Sequence, residues 1–209
     1  MALFGATGFI GARVLDELVA RGHAVKALAR NAGRLEPRAG MEAVSGNAAD
    51  PAAVALTVGG TEAVISCLGN PRGERRPPGH LASLLESICT QMERESIRRL
   101  IAVSGAGVTL PGERKPFPHN LLSALVRLAA RNAVEAKQRE LDTLLAHSTL
   151  DWTAVRPTRV VEGTASARFR VSTDSRAIGV RVTRGDLAAF MVAQLTDSTY
   201  IRKAPFVSS

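Results

Sequence analysis

Three glycines within the first eleven residues, in Gly5-Ala6-Thr7-Gly8-Phe9-Ile10-Gly11, constrain this chain more than any other feature. Only Met1 to Phe4 precede them, so the apolar run Ala2-Leu3-Phe4 must supply the strand that feeds the turn. Beyond them, Ile10, Val14, Leu15, Leu18 and Val19 recur at helical spacing until Gly22, and a second apolar run covers 24–29. The glycines thus lie between a strand and a helix in a unit of about thirty residues, the setting that a phosphate-binding loop requires. A residue without a side chain lets the turn be tight, lets backbone N–H groups approach a pyrophosphate, and lets helix and strand pack closely. The helix N-terminus then attracts the anion. Without that setting, the same glycines would be no more than a tight turn.

The second strand is expected to end at Ala29, and Arg30-Asn31-Ala32-Gly33-Arg34 follows. A dinucleotide site that selects NAD places a carboxylate about twenty residues past the glycines, on the ribose 2′-OH, whereas an arginine there matches a 2′-phosphate. Arg30 stands at that position with Arg34 close behind, and the alternative is a pair of solvated arginines. A third strand is expected over 41–45. Asp50-Pro51 then reads as an N-cap and first helical residue of a helix to about Val58, closed by Gly59-Gly60. The continuous apolar run 63–68 suits a strand buried on both faces of a parallel sheet. A Pro/Gly/Arg-rich loop, a helix over about 81–95 and a fifth strand over 100–103 come next, ending in Ser104-Gly105-Ala106-Gly107. Residues 108–120 lose periodicity and gain Pro111, Pro116 and Pro118, a loop length that is uncommon unless functional. A helix over 121–146 and a sixth strand over 150–155, ending at Arg156-Pro157-Thr158, complete the alternation. In the tail, 169–171, 180–182 and 201–207 read as short strands, and Thr183 with Asp186 as a capping box for a helix over 184–196. Strands alternating with helices, with ligand-type loops after strands one, two, four and five, describe a doubly wound α/β domain whose crevice lies at the carboxyl ends of its strands.

Composition narrows the alternatives. A chain of 209 residues, 45% hydrophobic and 22% charged, suits one domain spanning 1–209, in which about 157–209 form a small substrate-side lobe. No basic stretch leads into an apolar run with a cleavage site, and no segment reaches about 18 uninterrupted apolar residues. A soluble cytoplasmic protein without a membrane partner is therefore expected. The net charge of +8 raises nucleic acid as a partner. The arginines, however, are spread from Arg13 to Arg202, and the densest cluster, Arg72-Gly73-Glu74-Arg75-Arg76, carries an acid and no aromatics, which reads as a solvated basic face. Cys67 in its apolar run reads as a small core residue. His23, His80, His119 and His147 lack metal-ligand spacing, so surface or packing roles and no metal are expected; only His119, after the proline-rich loop, keeps a link to the substrate side. Neither a Gly-x-Ser-x-Gly elbow nor a Gly-Lys-Ser/Thr phosphate loop is present.

Taken together, Phe4-Gly5-Ala6-Thr7-Gly8, Arg30 with Arg34, Leu68-Gly69, Val103-Ser104-Gly105-Ala106, Leu150-Asp151-Trp152-Thr153 through Arg156-Pro157, and Val182-Thr183-Arg184-Gly185-Asp186-Leu187-Ala188 make the chain resemble the atypical short-chain dehydrogenase/reductases. The resemblance is to the small NAD(P)H-binding branch that includes biliverdin reductase B/flavin reductase and the NmrA-like proteins, and it covers nearly the whole chain. It implies a Rossmann-like fold in which Gly5, Thr7, Gly8, Phe9, Ile10 and Gly11 hold the pyrophosphate and Arg30 and Arg34 the 2′-phosphate. Asn47 and Ala48 would lie beside the adenine, asparagine keeping an acceptor where relatives carry an aspartate. Leu68 and Gly69 would pass the adenosine ribose, and Ser104, Pro157 and Thr158 would approach the nicotinamide. The departure is catalytic: in place of Tyr-x-x-x-Lys the chain has Ala133 and Lys137, and its one tyrosine is Tyr200. Lys137 would hold the nicotinamide ribose or be a solvated helix lysine.

The resulting expectation is a reductase that prefers NADP(H) over NAD(H) and serves a small planar acceptor of flavin or quinone type, with Ser104 and Lys137 nearest the chemistry. The alternative is a non-catalytic NmrA-like NADP(H) sensor that binds a protein partner, and a nucleic-acid binder is a third. Nothing in the sequence bears on oligomeric state.

Overall fold

A computed structural model describes residues 1–70, 76–113, 121–174 and 179–209, with 121–131 described by backbone alone. The expectations placed on Arg72, Gly73, Glu74 and Arg75, and on Pro116, Pro118 and His119, lie outside the described residues. In chain order the elements are β1 (Ala2–Phe4), α1 (Gly11–Ala20), β2 (Val25–Ala29), β3 (Met41–Ser45), α2 (Pro51–Val58), β4 (Ala63–Ser66), α3 (Gly79–Arg94), β5 (Arg99–Val103) and α4 (Leu121–Ala146). The remainder holds β6 (Asp151–Pro157), β7 (Arg159–Val161), β8 (Arg170–Ser172), β9 (Arg181–Thr183), α5 (Arg184–Ala193) and β10 (Phe206–Ser208).

The sheet order is β3-β2-β1-β4-β5-β6-β10-β8, parallel except for the antiparallel edge strand β8. From β1 the chain winds outward to β2 and β3, then returns to place β4 on the other side of β1. The crossovers leave a crevice at this reversal, outside the carboxyl ends of β1 and β4. Continuous apolar strands follow from helices covering both faces. Phe4, Val64, Leu100 and Trp152 pack beneath α2, α3 and α4. Their neighbours Leu3, Ile65, Ile101 and Val155 point the other way, beneath α1 and α5. At about 1.5–3 kcal/mol for each fully buried large side chain, these two layers dominate the favourable side of folding.

Local signals set most boundaries. Asp50 caps α2 by accepting from Ala52 N at 2.9 Å, with Pro51 at the first helical position. Thr183 caps α5 by accepting from Asp186 N at 3.0 Å, while the buried Asp186 carboxylate accepts from Ser166 N and Ala167 N and ties the preceding loop to the helix.

Several expectations are corrected. The last strand is Phe206–Ser208 rather than 201–207. Arg202 takes a left-handed φ of 55° and Pro205 has no N–H to donate, so Lys203 makes only an isolated bridge to Thr153 before the strand proper. β4 ends at Ser66 instead of 68, and α5 ends at Ala193 instead of 196. β7, absent from the sequence reading, pairs with β9 in a small ribbon, Val160 beside Val182. Only that ribbon stands outside the main sheet, which β10 and β8 complete. Among the described residues no helix is long and apolar enough to cross a membrane.

Candidate active site

Across the carboxyl ends of β1, β2, β4, β5 and β6 runs one cleft of about 840 Å³. Its glycine wall starts at Gly5, which leaves β1 with a φ of +81°, a backbone conformation that favours glycine. A Cβ on Gly5 would also lie 2.6 Å from the Cys67 carbonyl oxygen. The turn is closed by Gly8 N donating to Gly5 O at 2.9 Å, and no side chain caps the start of α1 nor does an acid occupy its first turn. Exposed backbone donors at an uncapped helix start form an anion site. Thr7, Gly8, Phe9 and Ile10 line the cleft with Gly5, but Gly11 does not. A Cβ there would be 2.0 Å from Gly5 O, so this third glycine serves the close approach of helix to loop.

At the β2 end, Arg30 and Arg34 both line the cleft. Asn31 accepts from Gly33 N at 3.0 Å and bends 32–34 into a short 3-10 turn, which brings the two arginines to the same wall. Among the described residues neither is paired with a carboxylate and no aspartate or glutamate lines the cleft. Asn47 and Ala48 form the neighbouring wall. The Asn47 side-chain oxygen accepts from Ala49 N at 3.1 Å, which holds the side chain in a local turn at the cleft wall and leaves its second lone pair and its amide N–H groups to a ligand.

Leu68 and Gly69 cross the floor after β4, joined by Cys67 and Asn70, and Pro157, Thr158 and Val160 close the β6 side. Cys67, expected in the core, is half-buried on this floor. Burial pushes its thiol up to about 12 against the pull of the Lys137 ammonium, so it is a protonated, unreactive thiol at neutral pH. Ser104 follows β5 directly; its N–H donates to Val155 O at 2.7 Å, while its hydroxyl, in a residue of 9% exposure, has no hydrogen-bond partner among the described residues. A buried unpartnered hydroxyl costs free energy that a bound polar group would recover.

Lys137 is not a solvated helix lysine. Its ammonium reaches down from α4 and donates to Leu68 O and Val103 O, each at 2.9 Å, with the Glu140 carboxylate at 2.6 Å. Holding a ribose would require it to release one of these. Ala133, at the place of the tyrosine in the dehydrogenase pattern, is exposed and off the cleft. Tyr200 packs edge-on against Phe190 at 5.9 Å.

Two basic cleft residues were missed from the sequence. His80, in the first turn of α3, and Arg76, the described end of the basic cluster, both line the cleft. Their position after β4, at the same sheet edge as the other loops, was the available signal. Behind the cleft, fully buried Arg156 donates to Ala204 O and Val108 O and pairs with Glu113 at 2.7 Å, with its guanidinium 3.7 Å from the Phe206 ring centroid. It pins the loop carrying Ser104 to β6 and β10. Among the described residues no group of His, Cys, Asp or Glu could hold a metal ion.

Comparison with known proteins gives a consistent picture. A family model described as NAD(P)H-binding matches residues 5–198. A Burkholderia pseudomallei protein of known structure is 27% identical over 100% of both chains, with a TM-score of 0.78. The oxidoreductase ylbE of Lactococcus lactis is 19% identical over 100% of this chain and 91% of its own, with a TM-score of 0.81. ChuY, an anaerobillin reductase from Escherichia coli, is 23% identical over 99% of this chain and 95% of its own, with a TM-score of 0.79. For the last two, the likeness is one of fold.

Proposed function

The chain belongs to the NAD(P)H-binding family, and from that premise we propose that it is a reductase that prefers NADP(H) over NAD(H) and passes hydride to a planar acceptor of flavin or quinone type. The observation that carries this reading is the cleft itself: a glycine wall at an uncapped helix start, two arginines at the β2 end, and no carboxylate along the described lining. An anionic ligand with charge in its middle and at one end fits these walls, and an acid at the β2 end, which would repel a 2′-phosphate, is absent among the described residues.

The chemistry supplied by the bound cofactor is hydride transfer. The protein's part is to bind and orient. The α1 N-terminus and the N–H groups around Thr7 and Gly8 would hold the pyrophosphate, Arg30 and Arg34 the 2′-phosphate, and Asn47 and Ala48 the adenine. Leu68 and Gly69 would pass the ribose. Phe9, Ile10 and Pro157 would exclude water, and Thr158 would lie beside the nicotinamide. The buried Ser104 hydroxyl, lacking a partner, would take the nicotinamide amide or the acceptor oxygen. Carbonyl and alcohol chemistry needs a proton moved at oxygen by a positioned acid, a contribution of about 10²–10⁴-fold. No tyrosine lines the cleft to supply it. A delocalised acceptor takes hydride first and its proton later from solvent, so contact geometry suffices. That ChuY, a reductase, shares the fold supports the reading by analogy alone.

The test is NADPH oxidation followed with a panel of flavins and quinones. Turnover with members of the panel and none with simple alcohols is expected; tight NADPH binding without turnover would favour a sensor instead.

A further inference from the structure

Lys137 and Glu140 form a group whose geometry is more specific than a ribose contact requires. The β4–β5 ladder ends at Ser66 beside Ala102, so beyond it no rung joins the two strands. Leu68 and Val103 lie just past that point, where their segments become the floor of the cleft. The Lys137 ammonium donates to both carbonyls at 2.9 Å and so bridges the two segments after the ladder has stopped. The Glu140 carboxylate, one turn further along α4, lies at ion-pair distance from it, 2.6 Å. An ammonium has three donors and no acceptor, so two carbonyls and a carboxylate surround it with groups it attracts. Glu140 is buried with 6% exposure and does not line the cleft. Burial outweighs the pull of Lys137 and leaves its pKa raised, and among the described residues its one close cation is Lys137. On the other side, Ser104 N is held by Val155 O at 2.7 Å, so the Val103–Ser104 peptide is fixed from both edges and the serine hydroxyl is aimed by consequence.

We propose that Lys137 and Glu140 are a positioning pair: Glu140 holds the ammonium, the ammonium holds the Leu68 and Val103 carbonyls together, and the nicotinamide half of a dinucleotide is bound on the floor so formed without direct contact to Lys137. This rests on the reading of the cleft as a dinucleotide site. The adenosine half meets the glycine wall and the two arginines, so the pair acts on one half of the ligand more than on the other.

Isothermal titration with two probes, NADPH and adenosine 2′,5′-bisphosphate, tests it on the wild type, on Glu140→Gln, and on the double variant Lys137→Met/Glu140→Leu, with a thermal melt of each. Replacing a buried ion pair by apolar residues of similar volume is often neutral for stability, so the double variant keeps the test usable should Glu140→Gln fail to fold. NADPH affinity is expected to fall about tenfold in both variants, as when one charge-assisted hydrogen bond is lost, while the bisphosphate binds within about twofold of wild type. Unchanged NADPH affinity in Glu140→Gln with a large loss in the double variant would make Lys137 a direct ligand and overturn the proposal. Equal weakening of both probes would reduce the pair to general stability and also overturn it. A wild-type protein that binds neither probe would refute the dinucleotide reading itself.

Discussion

Replacing Gly11 by alanine sets two effects of opposite sign against each other. In an exposed helix interior alanine is favoured over glycine by about 1 kcal/mol. Gly11, however, is buried at the start of α1, and the new methyl would lie 2.0 Å from Gly5 O, 2.7 Å from Gly5 C and 3.2 Å from the Ala6 Cα. All three are backbone atoms, and none can swing aside as a side-chain end would. The Gly5 carbonyl is moreover held by Gly8 N at 2.9 Å, so relief must come from moving α1 away from the loop by well over an ångström. Overpacking of this kind costs about 1–3 kcal/mol, and a clash with immobile backbone belongs at the upper end. Set against the helix-propensity gain, a net loss of about 2 kcal/mol remains, which at about 2–4 °C per kcal/mol lowers the melting temperature by about 4–8 °C. Circular-dichroism melts without ligand measure it, with Gly69→Ala as control, because a Cβ at Gly69 meets nothing within 4 Å. A Gly11→Ala protein that melts at or above the wild type would show that the loop yields freely, and would remove close helix–loop packing as the reason for the third glycine.

Arg30→Asp should reverse the cofactor preference, weakening NADPH about ten- to a hundredfold by loss of a charge-assisted phosphate contact while NADH binding is retained. Equal affinities for the two in the unaltered protein would sink this. Ser104→Ala should slow NADPH-dependent flavin or quinone reduction by less than about tenfold, short of the 10²–10⁴ of a general acid; complete inactivation with NADPH affinity intact would identify a specific proton donor. His147 lies between Glu86 and Glu93, at 3.1 Å from each, joining α3 to the end of α4. Burial pulls its imidazolium down, but the hydrogen bonds to Glu93 and Glu86 outweigh this and leave it raised above the ordinary value. A raised histidine stabilises fully below the unfolded value of about 6.5 and loses that contribution as pH climbs through the folded value. With both carboxylates partly exposed the effect is about 1 kcal/mol, or about 2–4 °C. Melts of wild type and His147→Gln should therefore differ most near pH 6 and converge as pH rises, and a gap that widens with pH would refute the assignment.

Residues close in sequence wrote most of this fold in advance. The glycine turn, the Asp50-Pro51 start of α2 and the Thr183 cap of α5 are each set by groups within three residues of one another. Strands buried on both faces announce themselves as unbroken apolar runs, which is why β1, β4 and β5 were legible. The cleft was legible as a place: fifteen of the sixteen residues proposed for the site, from Gly5 to Thr158, line it, because loops after parallel strands must emerge at one edge.

What the sequence could not tell depended on partners distant along the chain. β7 exists because β9 lies beside it, some twenty residues on, and β10 is cut short by where Pro205 falls against β6. His80 and Arg76 became cleft residues only when the start of α3 was set beside the cleft. Asn47 is oriented by a local turn through its bond from Ala49 N. Lys137 shows the division best: its helix and spacing were readable, but whether its ammonium faces water, a ribose or the backbone depended on the Leu68 and Val103 carbonyls, 69 and 34 residues away. Hydrophobic periodicity and backbone sterics are local and can be read along the chain, whereas a buried donor takes whichever acceptor folding leaves within reach, and only the tertiary structure decides which that is.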